Sequence, residues 1–215
     1  MVQISISLPN FNSEFDANIH KDIRATLSKS INQVINNIKL RIQQKTKTAL
    51  VGSPEYQSIF GGKLQAELGI PSPGSIDVII DRWVAGITIK YLPTSKGRFG
   101  TLSIGMIEAD YSDVLTLNEA SYSYTSGRTG GVIDWLRWLL LEGNNVIVRN
   151  YDFAPTITRG SRTRLGIMVN RQGGVWRVPP EFAGTQSDNF VLRALQEIDK
   201  EIDIIVRQEI TKGFK

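Results

Sequence analysis

The chain offers few side chains able to do chemistry. In 215 residues it has no cysteine and one histidine, His20. Without cysteine there is no disulfide, thiolate zinc site, iron–sulfur cluster or cysteine nucleophile, and one imidazole cannot build a His-based metal triad. His20 stands near the start of a long helical pattern, among Phe15, Ile19 and Ile23 but on its polar side, where an exposed or rim residue belongs. No Gly-x-Ser-x-Gly elbow occurs. Carboxylates could still work as acid and base. Glu197 with Glu201, and Asp199 with Asp203, are i,i+4 neighbours beside lysine and arginine, which is how a solvated helix face reads. Gly61-Gly62-Lys63 ends like a phosphate loop, but Gln57 stands where the first glycine belongs and Leu64 where a hydroxyl should hold magnesium. These glycines are expected to make a turn. No catalytic residue, metal site or cofactor is expected.

Arginine is the one chemically useful type that is concentrated. The formal charge is +4 and the calculated pI about 9.3, too mild to demand nucleic acid. Six arginines, Arg149, Arg159, Arg162, Arg164, Arg171 and Arg177, face one acid, Asp152, between positions 149 and 177. That local excess of +5 leaves the rest of the chain close to −1. The planar guanidinium suits bidentate contacts to carboxylates or phosphates. The segment therefore reads as subunit-to-subunit ion pairing, as contact with a nucleic-acid backbone, or as solvated charge. Tryptophans sit with arginines, a pairing favoured in stable interfaces, which makes Trp135, Trp138, Trp176 and Arg177 candidate contact residues. Pro179-Pro180-Glu181-Phe182 resembles a rigid strap ending in an aromatic anchor, which loses little entropy on docking. A loop packed over the protein's own core explains the strap equally well.

The elements that must position these residues follow from periodicity. Val2, Ile4, Ile6 and Leu8 alternate up to Pro9, an N-terminal strand or arm over 1–12 that could add to a sheet edge. Asn12 or Ser13 then caps a helix over about 13–50, with Phe15, Ile19, Ile23, Leu27, Ile31, Val34, Ile35, Ile38 and Ile42 on one stripe. Such a helix is on the order of 55 Å long, against a radius of gyration of about 17 Å for a domain of this size. Either it kinks or stops near Lys45, or part of its stripe packs against a neighbouring subunit. Residues 51–109 read as a connector with a short amphipathic stretch at Tyr56–Leu68, then strands at Asp77–Ile80, Trp83–Tyr91 and Gly100–Ile107, the last two joined by the turn Pro93–Gly97. Over 110–186 the pattern predicts a mainly irregular surface excursion to Gly131 and a short, nearly surrounded helix from Val132 closed by Gly143. Strands follow at Asn145–Asp152, Leu165–Val169 and Val175–Val178, the last two around an Asn170–Gly174 turn. Ser187-Asp188-Asn189 caps a final helix over 187–215, apolar at Val191, Leu195, Ile198, Ile202, Ile205 or Val206, and Ile210. The whole reads as one α+β domain, 1–215, with long N- and C-terminal helices packed on an antiparallel β-sheet, a short buried Trp-rich helix and a long insert. No signal peptide and no membrane span is expected, so the chain is expected to be soluble and made in the cytoplasm.

Three strings carry a family likeness: Trp135-Leu136-Arg137-Trp138-Leu139-Leu140-Leu141-Glu142-Gly143, Ser161-Arg162-Thr163-Arg164-Leu165-Gly166-Ile167-Met168, and Trp176-Arg177-Val178-Pro179-Pro180-Glu181-Phe182-Ala183-Gly184-Thr185 with Asp188-Asn189-Phe190. This block, roughly residues 130–195, resembles one in virion structural proteins of tailed bacteriophages with contractile tails. The order of elements is similar to the tail-completion or neck proteins. The resemblance implies a non-enzymatic protein at the head–tail junction of a virion, assembled in the host cytoplasm. It implies a homo-oligomeric ring between the head connector or adaptor and the tail tube or tail terminator, with genomic DNA passing through the lumen. On that reading Arg149, Arg159, Arg162, Arg164 and Arg171 face the lumen or a neighbouring subunit. Trp135, Trp138, Trp176, Arg177, Pro179, Pro180, Glu181 and Phe182 make contacts. The insert at 110–160 departs from the shorter members, which leaves a tail-terminator role as an alternative. A nucleic-acid-binding protein using Arg149–Arg177 is a second.

Overall fold

The computed structural model describes residues 3–7, 17–92, 101–106, 110–126, 129–157 and 159–213, with backbone only for 3–7, 17–30, 125, 126 and 129. In chain order the elements are β1 (Gln3–Ser7), α1 (Ala17–Gly52), α2 (Pro54–Gly61), α3 (Lys63–Leu68), α4 (Ser75–Gly86), β2 (Thr88–Leu92) and β3 (Thr101–Gly105). Then come α5 (Ser112–Leu115), β4 (Tyr122–Ser126), β5 (Thr129–Ile133), α6 (Trp135–Leu140), β6 (Val148–Ala154), β7 (Ile167–Trp176) and α7 (Phe190–Gly213). This is the expected α+β mixture of long terminal helices and antiparallel strands, but the strands form three small sheets. The chain gathers into two compact units.

The first unit comprises Met1–Thr46, Trp83–Ala109 and Ile198–Lys215. Its helical part follows the apolar periodicity. Ile31, Val34, Ile38 and Ile42 of α1 are buried at three- and four-residue spacing, as are Ile198, Ile202, Ile205 and Val206 of α7. The two helices run antiparallel. Gly213 lies against Val34, where a Cβ would come within 2.2 Å of Cγ2, and Arg41 reaches Glu209 at 2.8 Å and Gln208 at 3.1 Å. Through Lys45, where a kink was one expectation, α1 continues as one helix to Gly52. The expected cap at Asn12 or Ser13 lies outside the described residues, as do the side chain of His20 and the turn Pro93–Gly97. The sheet has the order β1-β3-β2, all antiparallel, so β1 is an edge strand as its alternation suggests. In the central strand β3, Leu102 and Ile104 are turned inward.

The strand expected at Asp77–Ile80, and the start of the one expected at Trp83, are helix instead. The β-branched residues there favour a strand by composition, yet Ile76, Ile79, Ile80 and Trp83 recur at i, i+3, i+4 and i+7, and all four are buried as one face of α4. The strand begins only at Thr88.

The second unit comprises Lys47–Arg82 and Asp110–Glu197. Ser53 caps α2, its Oγ accepting from the Tyr56 amide at 3.2 Å with Pro54 at the first helical position. Gly62 ends α2 and opens α3, as the turn reading of Gly61-Gly62-Lys63 requires. A Cβ there would sit 2.9 Å from the Ser58 Cα.

Three further expectations need correction. Residues 110–131 carry α5, a 3-10 turn at Asn118–Ala120 and β4, with Tyr111, Val114 and Ala120 buried, so the stretch is part of the core. Val132 and Ile133 belong to β5, where they continue the pairing of Tyr122↔Ile133 and Ser123↔Val132, and the helix starts only at Trp135. The C-cap of α6 is Leu141, while Gly143 is small for another reason: a Cβ would lie 2.5 Å from the Gly184 amide nitrogen. Last, Asn170–Gly174 does not turn the chain. These residues lie within β7, and the register against β6 jumps from Arg149↔Val175 to Tyr151↔Asn170. Four residues of β7 thus bulge opposite Asn150, with Gly173 at φ +78° and Asn150 at φ +59°. Glycines that signal a turn serve a bulge equally well, because both need positive φ.

Candidate interaction surface

The three candidate tryptophans, Trp135, Trp138 and Trp176, belong to the second unit. Trp135 is 1% exposed and donates from Nε1 to the Glu119 carbonyl at 2.9 Å. Trp176 is 6% exposed and donates to Glu67 Oε2 at 2.9 Å, and half-buried Trp138 meets it edge to face at 6.3 Å. Side chains already wrapped by their own chain have little area left for a neighbour. Trp135 and Trp176 are therefore core residues of the unit.

The strap is divided. Val178 and Pro179 are buried, while Pro180 and Glu181 are exposed and Phe182 is half-buried. Its inward half is fixed by close backbone approach: the Gly143 amide donates to the Gly184 carbonyl at 3.0 Å, and a Cβ on Gly184 would be 2.4 Å from the Leu139 carbonyl oxygen. Its outward half is tied by Lys63, whose ammonium reaches Glu181 at 2.8 Å and stands 4.0 Å from Glu67. That hydrogen bond holds the Glu181 carboxyl below its usual range and raises Lys63. The strap ends at Asn189, which the sequence marks only as a cap. Asn189 is fully buried; its Oδ1 accepts from the Leu192 amide, and its Nδ2 donates to the Tyr111 hydroxyl at 2.8 Å and to the Thr185 carbonyl at 2.9 Å.

All six arginines of the 149–177 segment are exposed. Arg171 pairs with Asp152 at 2.5 Å across the bulged ribbon. Among the described residues no acid pairs with Arg149, Arg159, Arg162, Arg164 or Arg177. Arg162 is held differently, above the rings of Tyr122 and Tyr124 at 5.2 Å from each centroid. Among the described residues the ribbon β6–β7 pairs with no third strand. It and its flanking loops expose Val146, Tyr151, Ile157, Leu165, Val169 and Val175 at 38–90%.

Among the described residues no group of three or more His, Asp or Glu could hold a metal ion, and no helix is long and apolar enough to cross a membrane. Compared with known proteins, the chain matches no family model, no curated protein and no solved structure.

Proposed function

We propose that this chain is a structural assembly protein rather than an enzyme, a neck or tail-completion protein of a tailed bacteriophage that joins the head connector to the tail as a ring of identical subunits. The observation that carries the reading is the β6–β7 ribbon. A two-stranded ribbon that finds no third strand among the described residues is marginal in water by itself, yet this one and its flanking loops expose a set of apolar side chains together with Arg149, Arg164 and Arg171. Apolar residues ringed by arginine are the composition of a contact surface that a second protein covers. The likeness of residues 130–195 to contractile-tail virion proteins names the setting, and the ribbon lies within that block.

The test uses the purified full chain and isolated phage tails. Light scattering across a wide concentration range should show association, and electron microscopy should show rings, alone or on tail ends. A monomer at every concentration that binds no tail overturns the proposal. Five exposed arginines without an acid partner among the described residues favour one other reading, contact with a nucleic-acid backbone. Binding to duplex DNA that weakens steeply with salt, in a chain that does not associate, would establish that reading instead.

A further inference from the structure

We infer that Arg162 and the cavity beside it form a site for a single carboxylate, presented by an Asp or Glu side chain of a protein partner. The site deepens the assembly reading by naming one contact and its chemistry, and it rests on that reading only for the partner's identity.

The cavity has a volume of about 500 Å³ and lies between α3, the end of β6 and the 160–168 segment. Its loop is built in advance. Ser161 Oγ donates to the Gly166 carbonyl at 2.5 Å, the Leu165 amide donates to Thr163 Oγ1 at 3.2 Å, and Arg164 takes φ +60° to close the turn. Gly166 is needed there, since a Cβ would meet the Phe153 ring at 2.1 Å.

Arg162 is fixed by its platform. Tyr122 and Tyr124 are i,i+2 residues on one face of β4, and the Tyr124 ring lies against its cross-strand neighbour Gly131, where a Cβ would come within 2.9 Å of it. Tyr122 is anchored by its hydroxyl, which donates to the Leu68 carbonyl at 2.5 Å and accepts from Arg162 Nη2 at 3.3 Å. The guanidinium is thus placed by its face and one N–H. Its remaining edge donors have no acid among the described residues. A guanidinium held 5.2 Å from both ring centroids, with Nη2 and Nε beside Gly69, still has donors beyond the one that Tyr122 uses to offer an oxyanion, and because the side chain is already held at two rings and a hydroxyl, binding costs little further entropy.

The rest of the lining selects among oxyanions. Glu67, held by the Trp176 indole, lines the same cavity together with Phe153, Ile167 and Met168. A polyphosphate strand would bring several negative charges beside Glu67 and against an apolar wall. One carboxylate on an apolar stem satisfies Arg162 and lays its stem on that wall.

The experiment titrates the full chain, followed by tryptophan fluorescence and calorimetry, with a terminally blocked peptide carrying one glutamate between leucines, its glutamine counterpart, inorganic phosphate, and a duplex oligonucleotide at low and moderate salt. The glutamate peptide should bind about tenfold or more tighter than the glutamine peptide. Arg162→Ala should erase that difference, and Arg162→Gln, which keeps a planar group over the tyrosines, should erase it without disturbing the loop. Arg162→Lys should retain part of it, and Arg149→Ala, outside the cavity lining, should leave it intact. Equal binding of the two peptides, or a preference unchanged in both Arg162→Ala and Arg162→Gln, overturns the inference. So does a preference for the duplex or for phosphate that depends on Arg162. Because the titration is read on the isolated chain, its failure is separable from failure of the ring reading.

Discussion

Replacing Trp176 by phenylalanine keeps an aromatic ring near Trp138 but removes the indole N–H that donates to Glu67 at 2.9 Å, together with part of the buried ring. The Glu67 side chain is 11% exposed, so water cannot fully replace that donor, and the Lys63 ammonium 4.0 Å away is too far to hydrogen-bond in its present position. A hydrogen bond to an ionised group is worth about 1.5–3 kcal/mol. With partial relief from Lys63 and the loss of part of a buried ring, Trp176→Phe should cost about 2–3 kcal/mol, a fall in Tm of roughly 4–12 °C for a chain of this size. Trp176→Ala also loses the packed ring and should cost about 3–5 kcal/mol. On a Glu67→Gln background the Phe substitution should cost about 1 kcal/mol less, because the acceptor left behind is no longer charged. Urea unfolding followed by far-ultraviolet circular dichroism measures all four variants. If Trp176→Phe stays within about 0.5 kcal/mol of the parent, or Trp176→Ala is no worse than Trp176→Phe, the burial argument for this residue is refuted. An alanine variant of full stability that associates less would return Trp176 to the contact surface.

Two further outcomes follow from the geometry. Gly184→Ala places a methyl group 2.4 Å from the Leu139 carbonyl oxygen and 2.8 Å from the Asn189 Cβ, so the strap must shift; a loss of about 1–3 kcal/mol is expected. Gly160→Ala, with nothing within 4 Å, should be neutral or slightly stabilising, and thermal melts of the pair make the comparison. Glu209 is held below its ordinary value of 4.5 by hydrogen bonds from Lys212 and Arg41. The native state therefore binds fewer protons there than the unfolded chain, and the stabilisation is complete above the ordinary value and lost as pH falls through the lowered one. The stability difference between the parent and Glu209→Gln should be flat from pH 8 to 6 and shrink below about pH 4.5, read by denaturant unfolding at each pH.

What the sequence determines by itself is what depends on short-range repetition. The buried stripes of α1 and α7, the edge strand β1 and the turn at Gly62 are each set by neighbours a few residues apart, and local periodicity is enough to read them. The absence of cysteine and the arginine concentration over 149–177 are equally plain. Tertiary structure decides wherever two local solutions are close in free energy. The Ile- and Val-rich run of α4 suits a strand by composition and a helix by spacing, and burial of one face selects the helix. Asn170–Gly174 can turn or bulge, and pairing with β6 makes it bulge. Gly143 and Gly184, far apart in sequence, are small because their backbones touch. The same holds for the candidate site. Arg162 is one of six arginines between positions 149 and 177, and only the fold brings Tyr122 and Tyr124 against it and Glu67 to its cavity, since contacts across 38 to 95 positions leave no periodic trace.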